Sequence, residues 1–230
     1  MKLRISFIEY LNSVPLGWGF LRGPFRKDFD VVFDVPSQCG QRLSEGQVDV
    51  GLIPTIEYQR IPDLRVLPGI SIAAKREVKS VLFVTKKRLP KVSRIAVDVS
   101  SRTSVSLLRI IFEKFHGIEG VTYHPESPQP ERMLELYDAA LIIGNAALEV
   151  PPGNYEVIDL AEEWNRFTGL PFVFAFWAVR SGVELGPQVD IFYKSRDQGL
   201  KEIELISSIY ARKLGLKVEE VSSYIRNNLD

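Results

Sequence analysis

Ser100-Ser101-Arg102-Thr103-Ser104 puts four hydroxyls and a guanidinium into five consecutive residues. Apolar residues alternate before it (Ile95, Val97, Val99) and recur at helical spacing after it (Val105, Leu108, Ile111/Phe112, Phe115). The cluster therefore stands where a strand hands over to a helix. The first turn of a helix has backbone N–H groups without intrahelical partners, and the helix dipole is positive there. With Ser101 as N-cap, the amides and hydroxyls of Thr103 and Ser104 point out of the helix start together, a place that takes a carboxylate or a phosphate. No Gly-rich loop and no following Lys accompany it, so this is not a P-loop. An ordinary Ser-capped helix has the same pattern, and the rest of the chain must decide between them.

Four other strand ends carry uncharged hydrogen-bonding residues. Leu3–Ile8 reads as a strand that leaves Asn12 on a strand-to-helix loop, with Ser13 capping a short helix and Pro15 in its first turn. Asp30–Val35 reads as a second strand, running through Pro36-Ser37 into a short helix with Cys39 and Leu43 on one side, closed by Gly46. Val48–Ile53 is a nearly continuous apolar run of the parallel-sheet kind that breaks at Pro54-Thr55, before a helix start at Ile56-Glu57-Tyr58. Ala139–Asn145 is a buried strand ending in Gly144-Asn145. Ligands of α/β proteins are addressed from such strand ends.

Composition narrows the chemistry. The chain has 230 residues, 45% hydrophobic and 25% charged, as in ordinary globular proteins. Lys+Arg equals Asp+Glu at 29 each, which gives no basic excess for nucleic acid or an anionic membrane. The single cysteine, Cys39, forms no disulfide framework and suits a reducing compartment. His116 and His124 are the only histidines and share no helix turn, so we expect no metal site, no cofactor and no Ser-His-Asp triad. No apolar run approaches the ~20 residues of a membrane span. Glu9 and Asn12 interrupt the N-terminal apolar stretch before a signal-peptide core of adequate length, and the expected location is the cytoplasm.

Three strand–helix units in the first 60 or so residues imply parallel pairing with right-handed crossovers. Leu64–Ala74 adds an extended segment, and Lys79–Thr85 and Phe172–Arg180 read as two crossing strands. Between them we expect a strand at Gly120–His124, a loop at Pro125–Pro130, a helix at Glu131–Tyr137 and a turn at Pro151–Asn154. A strand at Tyr155–Leu160 and a helix closed by Gly169 and Pro171 follow. After Val183 only helical stripes remain: Leu200, Ile203, Ile206 and Ile209/Tyr210, then Val218, Val221, Tyr224/Ile225 and Leu229. The expected fold is an α/β clamshell of two lobes, residues 1–82 with 178–230 and an inserted 83–177. Its ligand would lie in a cleft faced by the loops at Asn12, Ser37, Thr55, Ser101–Ser104 and Asn145.

Several stretches, in order over roughly the first 180 residues, resemble one family. Tyr10-Leu11-Asn12-Ser13-Val14-Pro15-Leu16 resembles the opening motif of the chorismate dehydratase family, the first enzyme of the futalosine route to menaquinone. Gly46-Gln47-Val48-Asp49-Val50-Gly51-Leu52-Ile53-Pro54-Thr55-Ile56-Glu57-Tyr58 is similar to its second motif, and Ser100–Val105 to its third. Leu141–Leu148 and Glu163-Trp164 with Thr168–Ala175 complete the set. Two departures stand out: Asn145 stands where the family usually has Asp, and Ala73–Val78 lacks the glycine common before the Val-x-Ser-Val pattern that holds Ser80. The resemblance implies a two-lobed fold like that of periplasmic binding proteins of the second type.

It also implies the conversion of chorismate to 3-[(1-carboxyvinyl)oxy]benzoate and water, a hydro-lyase reaction needing neither metal nor cofactor. The ring C3 proton and the C4 hydroxyl leave from the same face, which favours deprotonation first, with charge spreading through the diene to the ring carboxylate. Under the resemblance, Asn12 is the catalytic residue, orienting substrate and hydrogen-bonding the leaving hydroxyl or the developing charge. Ser101, Thr103 and Ser104 bind one carboxylate, Thr55 helps hold the other, and Ser37, Ser80 and Asn145 complete the substrate-binding set. Glu9 and Glu57 are candidate bases; the preferred base is the substrate's own enolpyruvyl carboxylate. The expected partner is chorismate alone, with no nucleic acid or membrane, in a monomer or homodimer. Competing readings are a binding protein for an anionic solute, which the missing signal peptide disfavours, and an effector-sensing domain, disfavoured by the absence of room for a helix-turn-helix. The sister enzyme making dihydroxynaphthoate should carry a histidine near Gly144-Asn145, and none is there.

Overall fold

The structure, a computed structural model, describes residues 2–150 and 153–229. Along the chain run β1 (Leu3–Ile8), α1 (Val14–Leu21), β2 (Phe29–Asp34), α2 (Pro36–Ser44), β3 (Val50–Pro54), β4 (Arg65–Ala74), β5 (Val81–Thr85) and β6 (Arg94–Asp98). Next come α3 (Arg102–Ile110), β7 (Thr122–Glu126), α4 (Pro130–Leu136), β8 (Ala139–Ile143), α5 (Asn145–Leu148), β9 (Glu156–Asp159) and α6 (Leu160–Thr168). β10 (Phe172–Val179) precedes the closing helices α7 (Val189–Lys201), α8 (Ile203–Leu214) and α9 (Val218–Asn227). The chain divides into two compact units, Met1–Ala73 with Val173–Asp230, and Ala74–Phe172.

The first unit holds a sheet of order β2-β1-β3-β10-β4. β1 is parallel to β2 and β3, and β10 runs antiparallel to β3 with Trp177 opposite Leu52. Parallel strands are covered on both faces, which is why β3 is buried along its whole length. On one face Phe7 stacks on Trp177 at 5.9 Å, and Phe20 and Phe192 meet the same indole edge-on or nearly so, at 6.0 and 5.1 Å. Each such pair contributes about 0.5–1.5 kcal/mol beyond its buried area. The wholly buried Ser195 ties α7 to α1: its Oγ accepts from Gly19 N and donates to Leu16 O, both at 2.9 Å. At the strand edge, Arg4 donates to Asp49 through its backbone N–H at 3.0 Å and its guanidinium at 2.7 Å, with Arg180 at 3.5 Å. The Arg4 hydrogen bonds hold the Asp49 carboxyl below the usual carboxylate range.

The second unit holds the order β7-β6-β8-β5-β9. β6 is parallel to β7 and β8, while β5 is antiparallel to β8 and β9. Val84, Ala96, Met133, Ala140 and Ile142 pack one face of it.

Four expectations need correction. Ser13 precedes α1, but its hydroxyl turns back to the carbonyls of Ile8 and Tyr10 and does not cap. Of the segment read as a strand crossing out of the first lobe, Lys79–Thr85, only Val81–Thr85 is strand; it is β5, whose neighbours β8 and β9 both lie in the second sheet. Pro125 is in β7, not in a loop; β7 is an edge strand, where a missing N–H costs no ladder bond. The single stripe from Leu200 to Tyr210 is divided at Glu202 between α7 and α8, leaving Leu200 exposed while Ile203 and Ile206 are buried. The Pro151-Pro152 half of the expected turn lies outside the described residues.

Candidate active site

The structure gathers the candidate residues in two sets, one at an end of each sheet. In the first unit, Asn12, Ser37 and Thr55 all follow the carboxyl ends of parallel strands, β1, β2 and β3. Asn12 is half-buried on the loop before α1, and its Oδ1 is shut away from solvent with no hydrogen-bond partner among the described residues. A buried carbonyl oxygen left unpaired costs about 1–3 kcal/mol, so such an atom points to an absent donor. Asn12 borders a cavity of about 220 Å³, with Pro15 and Leu16 of α1, Ile70 and Ile72 of β4, and Arg196 of α7. No sequence pattern singles out Arg196; its guanidinium donates to Gly69 O at 3.0 Å and to Asp197 at 2.7 Å.

Thr55 stands differently from expectation. Its Oγ1 donates to Val173 O at 2.6 Å, so its proton is committed within the protein and the oxygen is left to accept. The two glutamates are also engaged. Glu9 accepts from Lys213 at 2.9 Å and from Tyr210 at 3.3 Å. Glu57 is buried, 3.6 Å from Arg60, and packs on α2 at Gly40, where a Cβ would stand 2.7 Å from the glutamate Cγ.

In the second unit, Ser80, Ser101, Thr103, Ser104 and Asn145 meet at one end of the sheet. β6 and β8 are parallel and both finish there, and antiparallel β5 begins there. Gly144 N donates to Ser80 O at 2.8 Å, with Gly144 at φ 62°, a conformation that favours glycine. Ser101 is the N-cap of α3: its hydroxyl accepts from Ser104 N at 3.2 Å. The cap thus uses one of the two amides expected to face a ligand. Thr103 and Ser104 both lie in the first turn, and both are buried. Ser101→Ala should cost about 1 kcal/mol of folding stability by removing this cap, measured by denaturant unfolding.

Sequence reasoning missed Asp98, the last residue of β6. Its Oδ1 accepts from Ser100 N at 2.8 Å and Ser100 Oγ at 2.6 Å, which shapes the turn into α3. Its Oδ2 is buried and has no hydrogen-bond partner among the described residues. Burial pushes the carboxyl above its ordinary range, against the opposing pull of Ser100. An acid whose pKa is raised by folding stabilises the fold only while protonated, below its unfolded pKa of about 4, and loses this as pH rises through the folded value. Asp98→Asn keeps the acceptor for Ser100, so the stability of the native chain relative to this variant should fall between pH 4 and pH 7. Denaturant unfolding of both proteins at the two pH values measures it. The only sequence signal was position: an Asp closing a strand immediately before a hydroxyl run.

Among the described residues, no group of three or more His, Cys, Asp or Glu could hold a metal ion. His116 instead meets Glu163 at 2.6 Å beside Phe167, and His124 meets Thr122 at 3.0 Å. Again among the described residues, no helix is long and apolar enough to cross a membrane.

Residues 3–230 match the family model described as menaquinone biosynthesis. The chain belongs to the menaquinone biosynthesis family. Within it, the chain is 32% identical over 240 residues to a chorismate dehydratase of Thermus thermophilus, covering 95% of this chain and 85% of the relative. A chorismate dehydratase of Campylobacter jejuni is 27% identical over 225 residues, with the same coverage of 95% and 85%. Among solved structures, a protein from Archaeoglobus fulgidus superposes with a TM-score of 0.72 at 18% identity, covering 97% of this chain and 86% of its own. The periplasmic aliphatic sulphonate binding protein of Escherichia coli gives 0.64 at 16%, covering 97% and 82%. This member of the menaquinone biosynthesis family therefore has the α/β fold of periplasmic binding proteins.

Proposed function

We propose that the chain is a chorismate dehydratase, a hydro-lyase converting chorismate to 3-[(1-carboxyvinyl)oxy]benzoate and water in menaquinone biosynthesis. The observation that carries this reading onto the chain's own atoms is Asn12. Within the family's opening motif, it holds an unpaired buried carbonyl oxygen on a cavity. The C4 hydroxyl of chorismate is a donor of the kind this oxygen lacks, and the carboxamide N–H groups supply donors to the oxygen that departs.

In the reaction the C3–H bond breaks and its electrons enter the ring. The C4–O bond then breaks, and the departing hydroxide leaves as water with the proton taken from C3. Thr103 and Ser104 at the start of α3 are the proposed ligands of a carboxylate, where hydroxyls and the helix dipole act together. Thr55, with its proton on Val173, serves as an acceptor and positions the loop after β3. Ser37 after β2 in the first unit, and Ser80 and Asn145 at one end of the sheet in the second, are the remaining proposed substrate ligands. The proton acceptor in this reading is the enolpyruvyl carboxylate. The engagement of Glu9 with Lys213 and the burial of Glu57 beside Arg60 support that choice.

The test is incubation with chorismate alone, followed by ultraviolet spectroscopy and mass spectrometry. The expected result is loss of the cyclohexadiene absorption, growth of a benzoate band and a product lighter by one water. Chorismate bound but unchanged would overturn the reading in favour of a solute-binding role. A companion experiment replaces Glu9 and Glu57 separately with Gln; collapse of turnover with intact chorismate binding in either variant would mean that the protein supplies the base.

A further inference from the structure

A second concavity in the first unit shares no lining residue with the Asn12 cavity. It measures about 590 Å³ and lies between the end of β1, the carboxyl end of α1, β2 and α8. Its charged lining is unbalanced. Arg22, Arg26 and Lys213 face Glu9 as the single carboxylate. Glu9 is matched by Lys213 at 2.9 Å, whereas neither Arg22 nor Arg26 meets a carboxylate among the described residues. Two guanidiniums are thus left unneutralised around one hollow.

Two aromatic rings, Phe33 and Tyr210, contribute to the remaining wall. Phe33 leans edge-on against Phe7 with ring centroids 6.4 Å apart, yet it keeps 47% of its surface exposed. Tyr210 presents its ring under Lys213, 5.2 Å from Nζ to centroid, and its hydroxyl to Glu9 at 3.3 Å. Burial and the neighbouring Glu9 both hold that hydroxyl in its protonated, donor-capable form. A ligand with a flat ring for Phe33 and an anionic group for the two guanidiniums matches every unsatisfied element. An inorganic anion alone would leave Phe33 uncovered, and a neutral aromatic would leave both arginines unpaired.

We propose that this crevice is a second, accessory binding site for a small aromatic anion, carboxylate or phosphate, held by Arg22 and Arg26 with its ring on Phe33. The site stands independently of the dehydration chemistry, because none of its residues is placed on the reacting substrate.

Isothermal titration with benzoate, phenyl phosphate and inorganic phosphate tests it on the native chain, Arg22→Gln/Arg26→Gln, Phe33→Ala and Asn12→Ala. Both arginines are exposed and, among the described residues, without ion pairs, so the double variant should keep the native melting temperature. The expected result is one-to-one binding of at least one aromatic probe. It should weaken at least tenfold in the double variant, weaken in Phe33→Ala and stay unchanged in Asn12→Ala. Tighter binding of benzoate assigns the carboxylate; tighter binding of phenyl phosphate assigns the phosphate. The proposal is overturned if neither aromatic probe binds, if the double variant binds as the native chain does, or if inorganic phosphate binds as tightly as both aromatic probes. Binding lost in Asn12→Ala but kept in the arginine variant would also overturn it, by placing the probe in the other cavity.

Discussion

Under the proposed function, an Asn12→Ala variant is expected to turn over chorismate about 10²–10³-fold more slowly than the native chain, the cost of removing one well-placed polar group from a developing charge. Its melting temperature should barely move. Asn12 Oδ1 has no partner among the described residues, so the substitution breaks no intramolecular hydrogen bond there and removes an unsatisfied buried acceptor. Stability and activity therefore separate at this residue, which makes the experiment decisive. Steady-state kinetics followed at the benzoate band, beside a thermal melt, would measure both. Native kcat/KM in the alanine variant would remove Asn12 from the mechanism. Loss of activity together with a large fall in melting temperature would mean that the residue is structural.

The second large effect is expected at Gly199, where α7 packs on the start of α1. A Cβ there would stand 2.1 Å from the carbonyl oxygen of Pro15 and 2.7 Å from its Cα. Helix propensity alone favours alanine over glycine by about 1 kcal/mol. The clash opposes this and is larger, because the obstacle is backbone and cannot rotate away. We expect Gly199→Ala to destabilise the fold by about 3 kcal/mol. For a chain of this length that corresponds to a melting temperature lower by ~6–12 °C. Since Pro15 lies in the first turn of α1, just after the Asn12 loop, the displacement should also lower kcat at temperatures where the variant is folded. A variant as stable as the native chain would show that α1 and α7 can separate without cost.

What was legible in the sequence was what local patterns determine. The Ser101 cap followed from a hydroxyl at the switch between two periodicities, and the cap bond to Ser104 is present. The buried Cys39 and Leu43 on α2 followed from helical spacing. Ser13 failed as a cap because a hydroxyl in a tight turn can answer carbonyls already present, here those of Ile8 and Tyr10. The lobe-to-lobe reading of Lys79–Thr85 failed for a different reason. A short apolar run carries no record of which sheet it joins, and the partners of β5 lie at residues 139–143 and 156–159. At the candidate site, motif residues were readable, but their commitments were not. Neither the proton that Thr55 gives to Val173 nor the unpaired oxygens of Asn12 and Asp98 leave a trace in spacing. Arg196 likewise reaches the Asn12 cavity only through the packing of α7.

The position of β10 bears on how the chain is born. β3 gains its neighbour on that side only from residues 175–179. During synthesis the first sheet thus waits with an open edge while the middle of the chain emerges, whereas every strand of the second sheet has left the ribosome once Asp159 has. The later sequence can mature first, and the earlier one needs protection from strand-to-strand association in the interval. A chain released after residue 172 would hold every strand of the second sheet and the first sheet without β10.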